Sequence, residues 1–185
     1  MALKIIKDEI AYDGKYLQTV RRYFHDRRGK LGVWELVKRK TFGRIVSVFP
    51  VTANKEAILV KVYRVPFKCY VIECCAGLMD KKGESEEDAA RRELMEETGY
   101  SVKRLKSVVF GPFNPGLSGD EIVLYLGLGA QKTQEAVRDD SEDIEVIKVP
   151  ISKLDAYLRH PPQGVKVDIK VFCALYHAQK YLVSL

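Results

Sequence analysis

Short runs of apolar and β-branched residues, punctuated by turn formers, dominate the first part of the chain. Ile5-Ile6, Leu17-Gln18-Thr19-Val20 and Val33-Trp34-Glu35-Leu36-Val37 predict strands, with Asp13-Gly14 and Arg28-Gly29 as the turns. Residues 44–48 and 57–63 predict two further strands separated at Asn54-Lys55, and residues 71–77 predict one more. The pattern then changes. Between 84 and 99 apolar positions thin out, and Ala90 and Leu94 lie one helical turn apart. Ser85 is a candidate N-cap with Asp88 as its capping-box partner, and Gly99 supplies a left-handed stop. After this helix, residues 107–110 and 121–126 predict strands joined by a loop dense in glycine and proline. Residues 144–147 predict a strand, and 152–159 a short helix ended by His160-Pro161-Pro162. A last helix over 168–182 carries an apolar stripe at Val171, Ala174, Leu175 and Ala178.

These elements make an α+β chain, and 185 residues suit one domain with a small appendage. We place an N-terminal β segment at 1–42 and the main domain at 43–185. No apolar run approaches the roughly 18 residues of a membrane span, so no membrane partner is expected. The opening MALKIIKDEIAYD lacks the apolar core and cleavage site of a signal peptide, which predicts a cytoplasmic location. Cys69, Cys74, Cys75 and Cys173 fit neither a zinc site nor a disulfide framework, so reduced, buried thiols are expected. The net charge of +6 is spread along the chain, and its densest cluster, from Arg21-Arg22 to Lys30, reads as a hairpin. Such mild basicity suits a small phosphorylated substrate better than nucleic acid.

One stretch runs against that charge. From Glu84 to Glu97 there are seven acids and two arginines, a local charge of −5 that leaves 29 bases and 18 acids, or +11, elsewhere. On a helix Glu93, Glu96 and Glu97 fall at i, i+3 and i+4 and project from one face. The plain reading of such a cluster is a solvated acidic face; the functional one is a site for a hard divalent cation such as Mg²⁺. Glu73, an acid within an apolar strand, needs a partner if it is buried.

Glu84, seven further residues, and then Arg92-Glu93-Leu94-Met95-Glu96-Glu97-Thr98-Gly99-Tyr100 resembles the signature of the Nudix hydrolases. The family box has five residues between its first glycine and first glutamate, whereas six separate Gly77 from Glu84. The extra residue falls in the loop Asp80-Lys81-Lys82-Gly83 and leaves the helix in register. The resemblance implies a Nudix fold, a mixed β-sheet sandwiched between helices, here with an extra N-terminal antiparallel β segment. It also implies Glu93 and Glu97 as metal ligands, with Glu96 beside them and the main-chain carbonyl of Ala76 as a further ligand. Arg92 would hold a neighbouring carboxylate in place. The implied cofactor is Mg²⁺, with Mn²⁺ as an alternative. Cys75 stands where family members usually have proline.

Within that family the chain looks like the ADP-ribose pyrophosphatases. Trp34, Glu35 and Lys38-Arg39 are similar to their N-terminal region, which exchanges between the two subunits of a homodimer. By that resemblance Trp34 stacks on adenine and Arg39 reaches the substrate; packing is the alternative role for Trp34. Arg64, before Val65-Pro66, would contact the diphosphate. Pro115, sixteen positions beyond Gly99, together with Gly116, Leu117 and Ser118 looks like their substrate loop. In the polar stretch 131–143, Glu142 matches by position a glutamate that closes over the metals and aids water activation, with Asp140, Asp143 and Glu145 as open alternatives. The implied reaction is hydrolysis of ADP-ribose, a nucleoside diphosphate sugar, to AMP and ribose 5-phosphate. Another nucleoside diphosphate sugar or a dinucleotide, a non-catalytic ADP-ribose-binding module, and an RNA-directed hydrolase are the alternatives.

Overall fold

The computed structural model describes residues 3–137 and 143–183. Three strands form an antiparallel sheet of their own: β1 (Lys4–Asp13), β2 (Leu17–His25) and β3 (Leu31–Arg39), in that order. The turns fall at the expected places. The Gly14 N–H bonds the Leu17 carbonyl at 2.9 Å, and Gly29 takes a left-handed φ of 81°. Val20 and Leu36 are buried, while Ile5, Ile10, Tyr12, Leu31 and Val33 stay exposed.

A nine-stranded mixed sheet follows. Its strands are β4 (Ile45–Thr52), β5 (Glu56–Arg64), β6 (Cys69–Glu73), β7 (Cys75–Leu78), β8 (Tyr100–Ser101), β9 (Arg104–Pro112), β10 (Glu121–Lys132), β11 (Ile144–Pro150) and β12 (Lys166–Val167). The main path runs β12-β6-β5-β4-β10-β8; β11 pairs with β5, β7 with β4 and β9 with β10. The β4–β10 and β6–β12 pairs are parallel, which makes the sheet mixed. Helix α1 (Glu86–Thr98) covers one face, packing Ala89, Ala90 and Leu94 on Val46, Val48, Val123 and Tyr125. Helices α2 (Ile151–Arg159) and α3 (Ile169–Val183) cover the other, where Leu154, Val171 and Leu175 meet Phe49, Leu59 and Leu126. The expected stripe of Val171, Ala174, Leu175 and Ala178 is buried.

Three local expectations need correction. The single strand expected over 71–77 is two, because the chain leaves β5 at Glu73 and crosses at Cys74 to pair with β4. β8 and β12 were not foreseen, since two residues carry no periodic signal. The four cysteines are free, but Cys173 is exposed and Cys69 only half-buried; Cys74 and Cys75 alone are fully buried. Among the described residues no helix is long and apolar enough to cross a membrane.

Helix α1 begins and ends where its sequence says it should. The Ser85 hydroxyl accepts the Asp88 N–H at 3.1 Å and donates to the Asp88 carboxylate at 2.7 Å. The capping pair therefore closes through the hydroxyl. Gly99 has φ 74°, and its N–H bonds the Met95 carbonyl at 2.8 Å. A Cβ there would overlap the Gln134 carbonyl oxygen. Ser85→Ala should cost about 1 kcal/mol, the usual loss of a cap. Gly99→Ala should cost more, because the left-handed penalty of roughly 1–2 kcal/mol adds to that overlap. Urea unfolding of the two variants checks this order; equal losses would contradict it.

Candidate active site

The site is built where β7 passes under α1. Arg92, largely buried, is its hub. Nε and Nη2 grip both oxygens of Glu84, at 2.8 and 3.0 Å. Nη1 donates to Glu93 at 2.8 Å and to Glu96 at 3.0 Å. Nη2 also reaches Asp80 at 3.1 Å and the Leu78 carbonyl at 3.3 Å. The guanidinium holds the Glu84 carboxyl below its usual range, and Glu84 in turn raises the pKa of Arg92. The extra loop residue is absorbed by a turn in which the Glu84 N–H bonds the Lys81 carbonyl and Gly83 takes φ 84°. Glu84 therefore still meets Arg92 as the signature requires.

The α1 carboxylates lie against the β7 backbone. A Cβ on Gly77 would overlap the Glu93 carboxyl carbon, so any other residue there would push this acid from its place. Burial pushes the Glu93 carboxyl up; Arg92 opposes that rise, and Glu96 and Asp80 add to it. Glu97 accepts the Ala76 N–H at 3.3 Å. The neighbouring Cys75 thiol is pushed well up by burial and then by the charge of Glu97, so it is an inert thiol here. Glu93 and Glu97 thus flank the main chain of Ala76 and Gly77, a cradle of hard oxygen donors that suits a divalent cation. Among the described residues no three acid, His or Cys side chains are already gathered to hold an ion. Arg92 bonds one oxygen each of Glu93 and Glu96, which leaves their other oxygens to face a cation.

Arg64 stands beside this cradle. Its Nε and Nη2 fork onto Glu73 at 2.6 and 2.7 Å, and the charge of Glu97 also raises its pKa after that of Glu73. Glu73, only 7% exposed, has thereby found its partner. The fork leaves Nη1 of Arg64 for another acceptor.

A second group of residues meets elsewhere. Trp34, Pro115 and Leu117 line a cavity of ≈ 370 Å³ between the N-terminal sheet and the 112–120 loop. The Trp34 indole N–H donates to the Gly116 carbonyl at 3.3 Å, and the Val37 N–H to the Leu117 carbonyl at 2.9 Å. Arg39 pairs with Asp120 at 3.2 Å. These contacts are made within one chain. Arg64 and the α1 glutamates do not line this cavity. Arg44 ties it to α1, bonding Glu121 on its wall and Glu86 in the first helical turn, each at 2.9 Å.

Glu142 and Asp140 lie outside the described residues. Of the alternatives, Asp143 accepts the Tyr70 hydroxyl at 2.5 Å, and Glu145 pairs with Lys61. Sequence reasoning missed Lys170. Its ammonium pairs with Asp168 and sits 4.5 Å from the Phe113 ring centre, which ties the 112–120 loop to the start of α3. An isolated lysine fifty-seven positions from its aromatic partner gives no local signal.

Comparison with known proteins agrees with this geometry. The NUDIX domain model matches residues 41–174. The chain is similar to the ADP-sugar pyrophosphatase of Mus musculus, 34% identical, with 94% of this chain and 88% of that protein covered. It is also similar to the GDP-mannose pyrophosphatase of Cronobacter sakazakii, 29% identical over 96% of this chain and 95% of that one. Its fold is like that in a crystal structure of an ADP compounds hydrolase, with a TM-score of 0.82 at 20% identity, covering 100% of this chain and 96% of the other. With the signature helix, its glutamates and its supporting loop in place, the chain belongs to the Nudix hydrolase family and is an enzyme of the pyrophosphatase kind.

Proposed function

We propose that this enzyme hydrolyses the diphosphate of ADP-ribose, or of a closely related ADP-sugar, to AMP and ribose 5-phosphate in the cytoplasm. The observation that carries this reading is the meeting of Trp34 with the Pro115-Gly116-Leu117 loop in one cavity, tied through Arg44 to the carboxylate helix. Mg²⁺ is the proposed cofactor, with Mn²⁺ able to replace it. Glu93, Glu97 and the Ala76 carbonyl would hold it, with Glu96 alongside. When bound, such a cation neutralises diphosphate charge and lowers the pKa of the attacking water.

The chain's own residues do the rest. Water adds to one phosphorus, the bridging P–O bond breaks, and the leaving phosphate takes up a proton. Glu142 is the proposed acceptor of the water's proton, by position; Asp143 and Glu145 already serve Tyr70 and Lys61. Arg64, braced by Glu73, offers its remaining Nη1 to the diphosphate through a charge-assisted bond. Arg92 keeps Glu93 and Glu96 aligned. Trp34 gives the base a flat partner, its N–H already engaged by Gly116. Pro115 stiffens the loop, because its ring fixes one backbone angle. Stacking tolerates most bases, so Trp34 alone does not select adenine. The likeness to a GDP-mannose pyrophosphatase keeps a second reading in view, another nucleoside diphosphate sugar as substrate.

The N-terminal segment 1–42 is proposed to act as the dimerisation element of a homodimer and 43–185 as the catalytic domain. The support is exposed apolar surface on a three-stranded sheet, with Tyr12, Leu31 and Val33 on the face away from Trp34 and Ile5 and Ile10 on the face that carries it, which a second copy would cover in part. In that dimer the segment would also help build the partner's site. Sedimentation should give a dimer at assay concentration. A fully active monomer would refute the assembly.

The substrate reading is tested with a panel of nucleoside diphosphate sugars, dinucleotides and capped RNA, with Mg²⁺ and product chromatography. ADP-ribose should be the best substrate. Glu97→Gln should lower turnover about a hundredfold or more, the scale of losing a key electrostatic stabiliser. Trp34→Ala should raise KM by roughly five- to 150-fold, from a stack worth about 1–3 kcal/mol, and leave kcat nearly unchanged. Arg64→Lys, which keeps a cation beside buried Glu73, should lower kcat. A preference for a guanine sugar nucleotide or capped RNA sinks the substrate assignment. Full activity of folded Glu97→Gln, or of wild type in excess chelator, sinks the metal site.

A further inference from the structure

On the face of the large sheet opposite α1, β9 and the C-terminal half of α3 enclose a groove of ≈ 340 Å³. Lys106, Ser107 and Val108 line it from the strand, and His177, Lys180 and Tyr181 from the helix. Arg104 lies at its edge. Its guanidinium is 5.6 Å from the Tyr181 ring centre and donates to the Tyr181 hydroxyl, while the Lys106 ammonium sits 4.4 Å from the same centre. Lys180 lies 5.1 Å from the Tyr176 ring centre. Among the described residues none of Arg104, Lys106, His177 and Lys180 forms an ion pair with a carboxylate.

Two cations share one tyrosine ring, with a third cation and an imidazole beside them. Among the described residues no carboxylate pairs with them, and the ring's negative face eases their mutual repulsion. An anion in the groove would relieve it directly. The strand side adds the Ser107 hydroxyl, a donor that a phosphate oxygen accepts. The volume suits one or two phosphate groups rather than an extended polymer. The groove is also separate from the candidate active site. Asp168, whose charge reaches Arg64, marks the near end of α3. His177 and Tyr181 lie nine and thirteen residues farther on, roughly 14–20 Å along the helix axis.

We propose that this groove is a second, non-catalytic site that binds a phosphate-bearing small molecule. The test uses the whole protein and pyrophosphate, in metal-free buffer with chelator so that the α1 carboxylates carry no cation. The chain has three histidines, His25, His160 and His177, so their ring protons give a sparse proton NMR spectrum in which His177→Gln assigns the third. Pyrophosphate should shift the His177 signals saturably and leave those of His25 and His160 in place. Lys106→Ala with Lys180→Ala should weaken that binding about tenfold, the combined effect of two exposed charge contacts, while turnover without pyrophosphate stays at the wild-type value. Lys106→Gln alone, on the strand, should weaken it without touching α3, which covers the case in which the double variant frays the helix. Glu97→Gln should bind as wild type does. A His177 signal that does not move, three histidines that move together, or binding lost in Glu97→Gln but kept in the lysine variants would each overturn the proposal.

Discussion

One guanidinium holds the catalytic end of this protein together. Arg92 spends its donors on Glu84, Glu93, Glu96, Asp80 and the Leu78 carbonyl. Helix α1 would otherwise set acids against one another on one face, and the loop before it would have nothing to hold it down. A fork onto Glu84 with both oxygens engaged is the strong form of such a bond, shorter and more directional than a single contact. Taking a cation and several carboxylates partly out of water is costly, and the geometry has to offset that cost. Arg92 meets this by leaving almost no donor unused. Arg44 plays the same part at the other end of α1, between Glu86 and Glu121.

With the helix held, the sheet decides what it faces. The chain breaks between β6 and β7 at Cys74, and this change of partner from β5 to β4 carries Ala76 and Gly77 under Glu93 and Glu97. The same break leaves Glu73 at the end of β6, where Arg64 forks onto it. Positioning and chemistry are therefore one arrangement. The 112–120 loop is fastened from two sides, by Trp34, Val37 and Arg39 of β3 and by Lys170 under Phe113. A loop held at both edges keeps its shape on a scaffold that is itself rigid.

Much of this was legible in the residues themselves. The helix start at Ser85 and its stop at Gly99 were readable because each depends on a local requirement, a cap and a left-handed φ. The acid at Glu73 announced a partner because burial demands one, although nothing local said that the partner was Arg64. Long-range choices were hidden. The division of residues 71–77 into two strands is set by which neighbour each half pairs with, and an unbroken apolar run looks the same either way. Lys170 and Phe113 meet only through the tertiary fold. Arg39 and Arg64 drew notice only through a family resemblance, and nothing local showed them as arms tied to Asp120 and Glu73. Long ion pairs of this kind depend on side-chain reach, which no pattern of polar and apolar positions records.

The carboxylate face of α1 over Ala76 and Gly77 is the proposed seat of a divalent cation. Anomalous diffraction from crystals soaked in Mn²⁺ tests this without reference to any substrate. The predicted result is a manganese peak in direct contact with the carboxylates of Glu93 and Glu97 and the carbonyl of Ala76. A peak lodged instead at an acid remote from α1, with the cradle empty, would contradict it.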